Sequence, residues 1–184
     1  MSLGEAVSSP LVKKMTAVVK VVSMIALLVL MSASFAADEA ADFDRFFVGV
    51  SGTAMLPQGG SRLRNVGGVA VRGGCYLTAD WALEADVSWL EDSLGLGVDA
   101  IGHLQGWDFY GDLFGYSRFD PFVTLGVRGW VDDGRGQVGP KAGLGAFYHL
   151  TDAWAIRADA DATLGLETEC EMLYTLSVGV QCSF

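Results

Sequence analysis

The feature of this sequence that most limits its fold is a strict alternation of residue types near the C-terminal end. From residue 172 onwards every second residue is apolar, and the residues between are mostly small or polar. Because successive side chains of a β-strand point to opposite faces, a period of two predicts a strand with one apolar face. The apolar positions are Met172, Tyr174, Leu176, Val178, Val180, Cys182 and Phe184.

The same alternation recurs in segments of about ten residues, which is the length that a tilted strand needs to cross a bilayer. After residue 36, no apolar run approaches the roughly 20 residues of a spanning helix. The pattern therefore predicts an all-β protein, an eight-stranded antiparallel up-and-down transmembrane β-barrel. The eight segments are 46–56, 67–77, 81–90, 103–114, 121–131, 138–150, 154–164 and 172–184.

The connections between these segments are expected to alternate in length, with short periplasmic turns and longer outer loops. Two of the turns lie in a repeated sequence, because 76–86 and 149–159 match at six of eleven positions. The tight connections are predicted near 78–80, 115–120 and 151–153, and the longer ones near 57–66, 91–102, 132–137 and 165–171.

The charged residues of the segments share the small and polar face. A soluble, lipocalin-like barrel would turn its apolar face inward and its charges outward. Short side chains, however, suit the narrow interior of an eight-stranded barrel, and a charge on the lipid face costs roughly 2–4 kcal/mol at the bilayer midplane. We therefore expect the charges inside the lumen: Arg72, Glu84, Asp86, Asp108, Asp112, Arg128, Lys141, Arg157, Asp159 and Asp161.

Both signs of charge at similar depth predict a lumen that is plugged by salt bridges and has no open pore. Arg72 is expected opposite Asp86, and Arg128 near Asp108. The alternative is a set of individually hydrated charges around a narrow file of water. Buried pairs of this kind specify strand register more securely than they add stability.

The N-terminal 36 residues are predicted to be a signal peptide. Three lysines precede the apolar run 21–31, and the small residues Ser34 and Ala36 fit the specificity of a signal peptidase. Cleavage there would leave 37–184 as the outer-membrane β-barrel domain. The alternative, an uncleaved membrane anchor, needs a longer apolar run. The net charge of −10 argues against a nucleic-acid partner, since phosphate binding needs a basic surface.

No cofactor and no metal site are predicted. No group of Cys and His residues has the spacing of metal ligands. Cys75 and Cys182 are expected on the lipid-facing side, too far apart for a disulfide, and Cys170 in an outer loop. Aromatic residues are expected to form two interfacial girdles. Trp81, Trp154, Tyr148 and Phe184 belong to the turn end of the barrel, and Trp89, Trp107 and Tyr174 to the loop end.

Residues 45–184 resemble the small outer-membrane β-barrel superfamily, which includes the OmpA transmembrane domain and OmpX-like proteins. The resemblance is carried by the alternating last strand from Tyr174 to the terminal Phe184, and by the Pro-aromatic-Gly strand of 121–129. It implies localisation in the bacterial outer membrane and contact with outer-membrane lipid. It also implies delivery by periplasmic chaperones and insertion by the outer-membrane assembly machinery, with Tyr174 and Phe184 in the assembly signal.

Three classes of function remain open after this comparison of patterns. A structural or surface-interaction barrel, which is not an enzyme, would bind any surface ligand through its loops. The loop residues concerned are Arg62, Arg64, Asp132, Asp133 and Arg135.

The second class is transport, either of ions through a narrow lumen or of small apolar compounds through a lateral opening. The third is an outer-membrane lipid hydrolase, which needs a nucleophile and a base within hydrogen-bond reach. His103 and His149 are the available imidazoles, and Ser93 or Ser117 would have to supply the nucleophile.

Overall fold

The computed structural model describes residues 46–57, 66–91, 93–104, 118–132, 135–166 and 172–184. Each strand pairs antiparallel with its neighbours in sequence, and β8 pairs with β1, so the sheet closes into a barrel. The predicted eight-stranded antiparallel barrel is confirmed. The described residues contain no helix that is long and apolar enough to cross a membrane. The strands are β1 (Phe46–Pro57), β2 (Val66–Tyr76), β3 (Trp81–Leu90), β4 (Ser93–His103), β5 (Phe119–Asp132), β6 (Arg135–His149), β7 (Trp154–Leu164) and β8 (Met172–Ser183).

The fourth strand does not lie where the alternation was assigned. β4 pairs with both β3 and β5, so the prediction of a strand at 103–114 and a long connection at 91–102 was wrong. Gly95 and Gly97 had favoured a loop, yet both lie inside this strand. A Cβ at Gly95 would collide with the ring of Trp130, and one at Gly97 with the carboxylate of Asp86. Glycine is therefore required there because neighbouring strands send large side chains into the lumen.

The two ends of the barrel carry different connections. We call the end that holds Phe46 and Phe184 the termini end and the opposite end the loop end. The loop end has connections at 58–65, 91–92, 133–134 and 165–171, and the termini end at 77–80, 104–118 and 150–153.

The expected asymmetry of connection lengths is therefore wrong in three places. Both β3–β4 and β5–β6 are joined by only two residues, at 91–92 and 133–134, whereas the longest connection, 104–118, belongs to the termini end. The tight turn predicted near 115–120 gives way to β5, which begins at Phe119. The tight turns at 78–80 and 151–153 are confirmed.

The two faces of the wall follow the predicted alternation. The outer face is apolar and exposed, with Leu144 at 67% and Leu125 at 64% of full exposure. The described charged side chains of the strands are buried, except that of Asp159, which is half-buried. Exposed aromatic side chains lie near both rims, as expected for two girdles. Those at the termini end are Trp81, Phe119, Tyr148, Trp154 and Phe184, those at the loop end are Trp89 and Tyr174, and Trp107 lies outside the described residues.

The described cysteines form no disulfide. Cys75 and Cys182 lie on the two strands that flank β1, where they are opposite Phe46 and Val48, respectively. Both keep the outward parity of the apolar positions, as the alternation predicts, although Cys75 is buried and Cys182 half-buried. Cys170 lies outside the described residues.

Candidate functional site: the ionic interior of the barrel

Four charged side chains form a closed ring of contacts in the half of the lumen nearer the termini end. Arg157 makes a bidentate ion pair with Glu84, at 2.5 and 3.1 Å, and its Nε donates to Asp159 at 2.8 Å. Arg72 donates to the same Asp159 oxygen at 2.8 Å, to Ser51 at 3.0 Å, and lies 4.0 Å from Glu84. We call Arg72, Glu84, Arg157 and Asp159 the inner quartet.

The Arg157–Glu84 pair spans the barrel. β3 and β7 are four strands apart in a closed eight-stranded sheet, so Glu84 and Arg157 leave opposite walls. Both side chains are nearly fully buried, at 1% and 5% exposure. A bidentate arginine–carboxylate pair has a fixed planar geometry. The pair is therefore a crossbar that joins two opposite walls through the centre of the lumen.

A second cluster lies nearer the loop end. Arg128 donates to Asp86 at 2.6 Å and to Asp161 at 3.1 Å. Lys141 pairs with Asp99 and also lies 3.7 Å from Asp86 and 4.0 Å from Asp161. We call Asp86, Asp99, Arg128, Lys141 and Asp161 the outer quintet.

The charges of the two clusters differ. The inner quartet holds two cations and two carboxylates, whereas the outer quintet holds two cations and three carboxylates. Every cation in both clusters contacts at least two carboxylates. Removing one partner of such a buried pair leaves an uncompensated charge, which costs about 3–5 kcal/mol. The integrity of each cluster therefore depends on all of its members being present.

Buried apolar side chains pack inside the barrel on either side of the charges. Arg157 of the inner quartet also contacts two aromatic rings of the termini-end cluster. Its guanidinium lies 4.7 Å from the centre of the Phe122 ring and 5.3 Å from that of Phe147. Arg128 similarly lies 5.4 Å from the Trp130 ring. The termini-end plug consists of Phe47, Ala82, Ile101, Phe122, Phe147 and Ala155, and the loop-end plug of Met55, Leu90, Trp130 and Leu173.

Most of the predicted lumen residues are brought together. Arg72 and Asp86 are opposite each other in the β2–β3 register, as expected, but the guanidinium of Arg72 reaches Asp159 and the carboxylate of Asp86 accepts from Arg128. Arg128 is opposite Gly97 in the β4–β5 register, whereas the predicted proximity of Arg128 and Asp108 falls on a residue that is not described. Asp108 and Asp112 lie outside the described residues.

Two parts of the interior were missed. Asp99 supplies the carboxylate of the fourth strand, and it was overlooked with that strand. Near the termini end, His103 Nδ1 lies 2.6 Å from Asp120 Oδ2, and His149 Nε2 lies 3.9 Å from the same oxygen. The sequence signal for Asp99 and for the His103–Asp120 pair is the presence of polar residues at the inward positions of β4 and β5.

Comparison with known proteins supports the architecture. No protein-family model matches the sequence, and neither does any curated protein. Solved structures do match. Neisserial surface protein A aligns with a TM-score of 0.58 and 15% identity, over 76% of this chain and 97% of that chain. The outer membrane protein OprG from Pseudomonas aeruginosa aligns with a TM-score of 0.55 and 13% identity, over 78% and 99%. A de novo designed transmembrane β-barrel gives 0.53 and 14%, over 78% and 98%.

The fold is that of the small outer-membrane β-barrels. At 13–15% identity the likeness concerns the fold alone, so the role of this barrel has to be argued from its own residues. Its wall is continuous, since each pair of neighbouring strands is hydrogen-bonded in register around the whole sheet. This continuity gives no support to a lateral opening between the described strands.

The geometry of this barrel does not assemble the hydrolase pair considered from sequence. Ser93 and His103 are the first and last residues of β4, so about 30 Å of strand separates them. Ser117 lies outside the described residues. Among the described residues, no group of three or more His, Cys, Asp or Glu side chains is placed to hold a metal ion.

The loop residues considered for ligand binding are only partly described. Asp132 and Arg135 end β5 and begin β6, opposite each other at the two-residue hairpin. Arg62, Arg64 and Asp133 lie outside the described residues.

Proposed function

We propose that this chain is a non-enzymatic structural barrel of the bacterial outer membrane, with a closed lumen. The observation that carries the proposal is the Arg157–Glu84 crossbar, which ties opposite walls of the barrel together between two apolar plugs. A conducting pore needs a continuous wetted path, whereas the described interior is occupied at three successive levels by packed or paired side chains.

The lengths of the connections favour a structural role over a large ligand-binding surface. Two of the four connections at the loop end contain two residues each. The longer ones, 58–65 and 165–171, join β1 to β2 and β7 to β8, which are consecutive strands around the barrel. Any surface ligand would therefore be bound on that side, by residues such as Arg62 and Arg64.

Export and assembly follow the same proposal. The 1–36 segment directs secretion, periplasmic chaperones carry the unfolded chain, and the assembly machinery reads the last strand with Tyr174 and Phe184. Phe184 also helps to close the sheet. Its backbone exchanges two hydrogen bonds with Phe46, at 2.8 and 3.1 Å, and their rings stack at 6.4 Å. The terminal residue is thus placed where the first and last strands meet.

The experiment combines fractionation, heat-modifiable migration and conductance. Outer-membrane location, a shift in gel mobility on boiling and no conductance in planar bilayers support the proposal. Steady conductance of the native chain would overturn the closed lumen and favour ion transport. The matched control is Glu84→Ala, which removes the crossbar and is expected to introduce conductance events if the crossbar is what closes the lumen.

A further inference from the structure

The junction between β1 and β8, which we call the seam, differs from the other junctions of the wall. Consecutive strands are joined by connections of between two residues, at 91–92, and fifteen, at 104–118. β1 and β8 instead lie at opposite ends of the barrel sequence, and the entropic cost of closing a loop rises with its length. Among the eight strands, β1 and β8 alone carry no charged side chain. The seam is therefore closed over the longest stretch of chain and without an ion pair of its own.

One charged side chain crosses the lumen face of the seam. Arg72 of β2 is opposite Gly49 of β1, and its stem passes over that glycine, where a Cβ would lie 3.1 Å from Arg72 Cγ. Its Nη2 donates to the Ser51 hydroxyl on β1 at 3.0 Å, and its Nη1 donates to Asp159 on β7 at 2.8 Å. β2 and β7 are the strands that flank the seam. Arg72 therefore bonds to the wall on both sides of the seam.

The bond between Arg72 and Asp159 reaches across two strands. Along the wall, β2 and β7 are three strand spacings apart, about 14 Å. Both partners are charged, and such hydrogen bonds are about twice as strong as neutral ones. Asp159 is in turn held by Arg157 Nε at 2.8 Å. A longer hydrogen bond, 3.4 Å from Gln181 of β8 to the Tyr76 hydroxyl of β2, spans the seam nearer the termini end.

The seam strands carry small side chains where Arg72 passes. Ser177 and Gly179 of β8 are opposite Asp159 and Arg157 in the register. A Cβ at Gly179 would lie 2.6 Å from the Cβ of Ser51, so a larger residue there would displace the hydroxyl that Arg72 bonds. The inner face of the seam is therefore shaped to let one long side chain lie across it.

The crossbar and Arg72 restrain the wall in different ways. The crossbar joins β3 to β7, which are four strands apart in either direction around the barrel, so it favours no single junction. Arg72 links β2 to β7 by the short way, across β1 and β8. The contacts of Arg72 are therefore specific to the seam.

We propose that Arg72 is the clasp of the barrel, a positioning residue that holds β2 and β7 at the spacing that the paired strands β1 and β8 fill. The backbone bonds of the seam would otherwise be the sole link between its two strands apart from the Ser177–Thr53 hydrogen bond. With the clasp in place, β2 and β7 cannot move apart unless a buried ion pair also breaks. The clasp acts on the wall, so it stands whether or not the lumen conducts.

Hydrogen exchange of backbone amides tests the clasp, because it measures the local opening of each strand. The folded chain in detergent micelles is transferred to D2O, and mass spectrometry follows peptides of β1 and β8 and, from the opposite side of the barrel, of β4 and β5. The seam ratio is the exchange rate of the first pair divided by that of the second. Arg72→Met removes two hydrogen bonds of a charged group and should raise this ratio about tenfold.

The matched control for the lost charge is Lys141→Met. Lys141 is a buried cation of the outer quintet that contacts carboxylates on β3, β4 and β7. Its removal should not raise the seam ratio, because none of these contacts ties β1 or β8. A ratio that rises as much in Lys141→Met as in Arg72→Met would overturn the clasp, since any buried cation would then have the same effect.

A milder pair of variants tests the clasp even if Arg72→Met does not fold. Ser51→Ala removes the bond of Arg72 to β1 and leaves every charge in place, so the seam ratio should rise about threefold. Ser88→Ala is its control, because the buried Ser88 hydroxyl on β3 has no hydrogen-bond partner among the described residues. It should leave the ratio unchanged. A seam ratio in Ser51→Ala that equals the parent value would also overturn the clasp.

Discussion

The hairpins β2–β3 and β6–β7 lie on opposite sides of the barrel and can be compared residue by residue. Their turns have the same geometry, since Leu77 and Leu150 each donate a backbone hydrogen bond of 2.8 Å to the tryptophan that begins the next strand. Those tryptophans, Trp81 and Trp154, are exposed to a similar extent, at 46% and 50%. The turns and the outer rim of the two hairpins are therefore alike.

The lumen positions of the same hairpins differ. Glu84 corresponds to Arg157, and these two residues form the crossbar. Gly74 is the counterpart of Phe147. A side chain is excluded at Gly74 because the ring of Phe47 occupies the space that it would need. The comparison teaches that the same turn geometry can be used twice in this barrel, whereas each lumen residue is matched to the side chains that other strands, adjacent or opposite, send inward.

The largest effect is expected when the acidic residue of the crossbar is replaced by the arginine of its counterpart. Glu84→Arg places an arginine opposite Arg157 and next to Arg72, so that three cations share one carboxylate, Asp159. We expect a loss of about 3–5 kcal/mol in the free energy of unfolding, the usual cost of breaking a buried pair. Urea titration of the barrel in lipid vesicles, in both directions, measures it. A loss below about 1 kcal/mol would mean that the crossbar is hydrated.

Exchanging the two charges sharpens the comparison. Glu84→Arg combined with Arg157→Glu re-forms a pair across the lumen, but the new residues meet Arg72 and Asp159 as like charges. The double variant should therefore recover about 1–3 kcal/mol of the loss and not all of it. The same urea titrations, with Arg157→Glu alone completing the cycle, give the coupling energy. A coupling energy of zero would show that the two side chains act independently.

A smaller effect tests the glycine of the β2–β3 hairpin. The Cβ of Gly74→Ala would lie 2.5 Å from the Phe47 ring and press against the Leu83 carbonyl, so overpacking should cost about 1–3 kcal/mol. Gly73→Ala is the control, because its Cβ would have no neighbour closer than 3.6 Å. Equal stability of the two variants in urea titrations would contradict the packing that distinguishes Gly74 from Phe147.

The wall of the barrel could be predicted from the sequence because its signal is local. β3 and β7 were assigned with their observed bounds, since an alternation of apolar and polar residues depends only on neighbours two positions apart. β4 has the same alternation, with Leu94, Leu96 and Val98 facing outward. It was missed because its inward residues include Gly95 and Gly97, and glycine is also the commonest signal of a loop.

The partners inside the lumen could not be predicted in the same way. Strand pairing places Arg72 opposite Asp86, yet a long side chain reaches across the interior, where the stagger of all eight strands sets what it meets. Arg72 therefore bonds Asp159, and Arg128 bonds Asp86 and Asp161. The alternation therefore predicts which residues face the lumen. It does not predict which of them form pairs, because that depends on how the eight strands close into the barrel.

The smallest effect concerns the turns, where the two hairpins are nearly equal. The Thr78 hydroxyl accepts backbone hydrogen bonds from Asp80 at 3.2 Å and Trp81 at 3.1 Å, whereas Thr151 accepts one, from Trp154 at 3.0 Å. These bonds are exposed, so Thr78→Ala should cost about 1 kcal/mol and Thr151→Ala about half of that, as measured by urea titration. The matched controls are Thr→Ser variants at both positions, which keep the hydroxyl. The expected difference in stability rests on the one additional hydrogen bond of Thr78. A larger loss of stability for Thr151→Ala than for Thr78→Ala would therefore show that Thr151 has a role beyond the turn geometry that the two hairpins share.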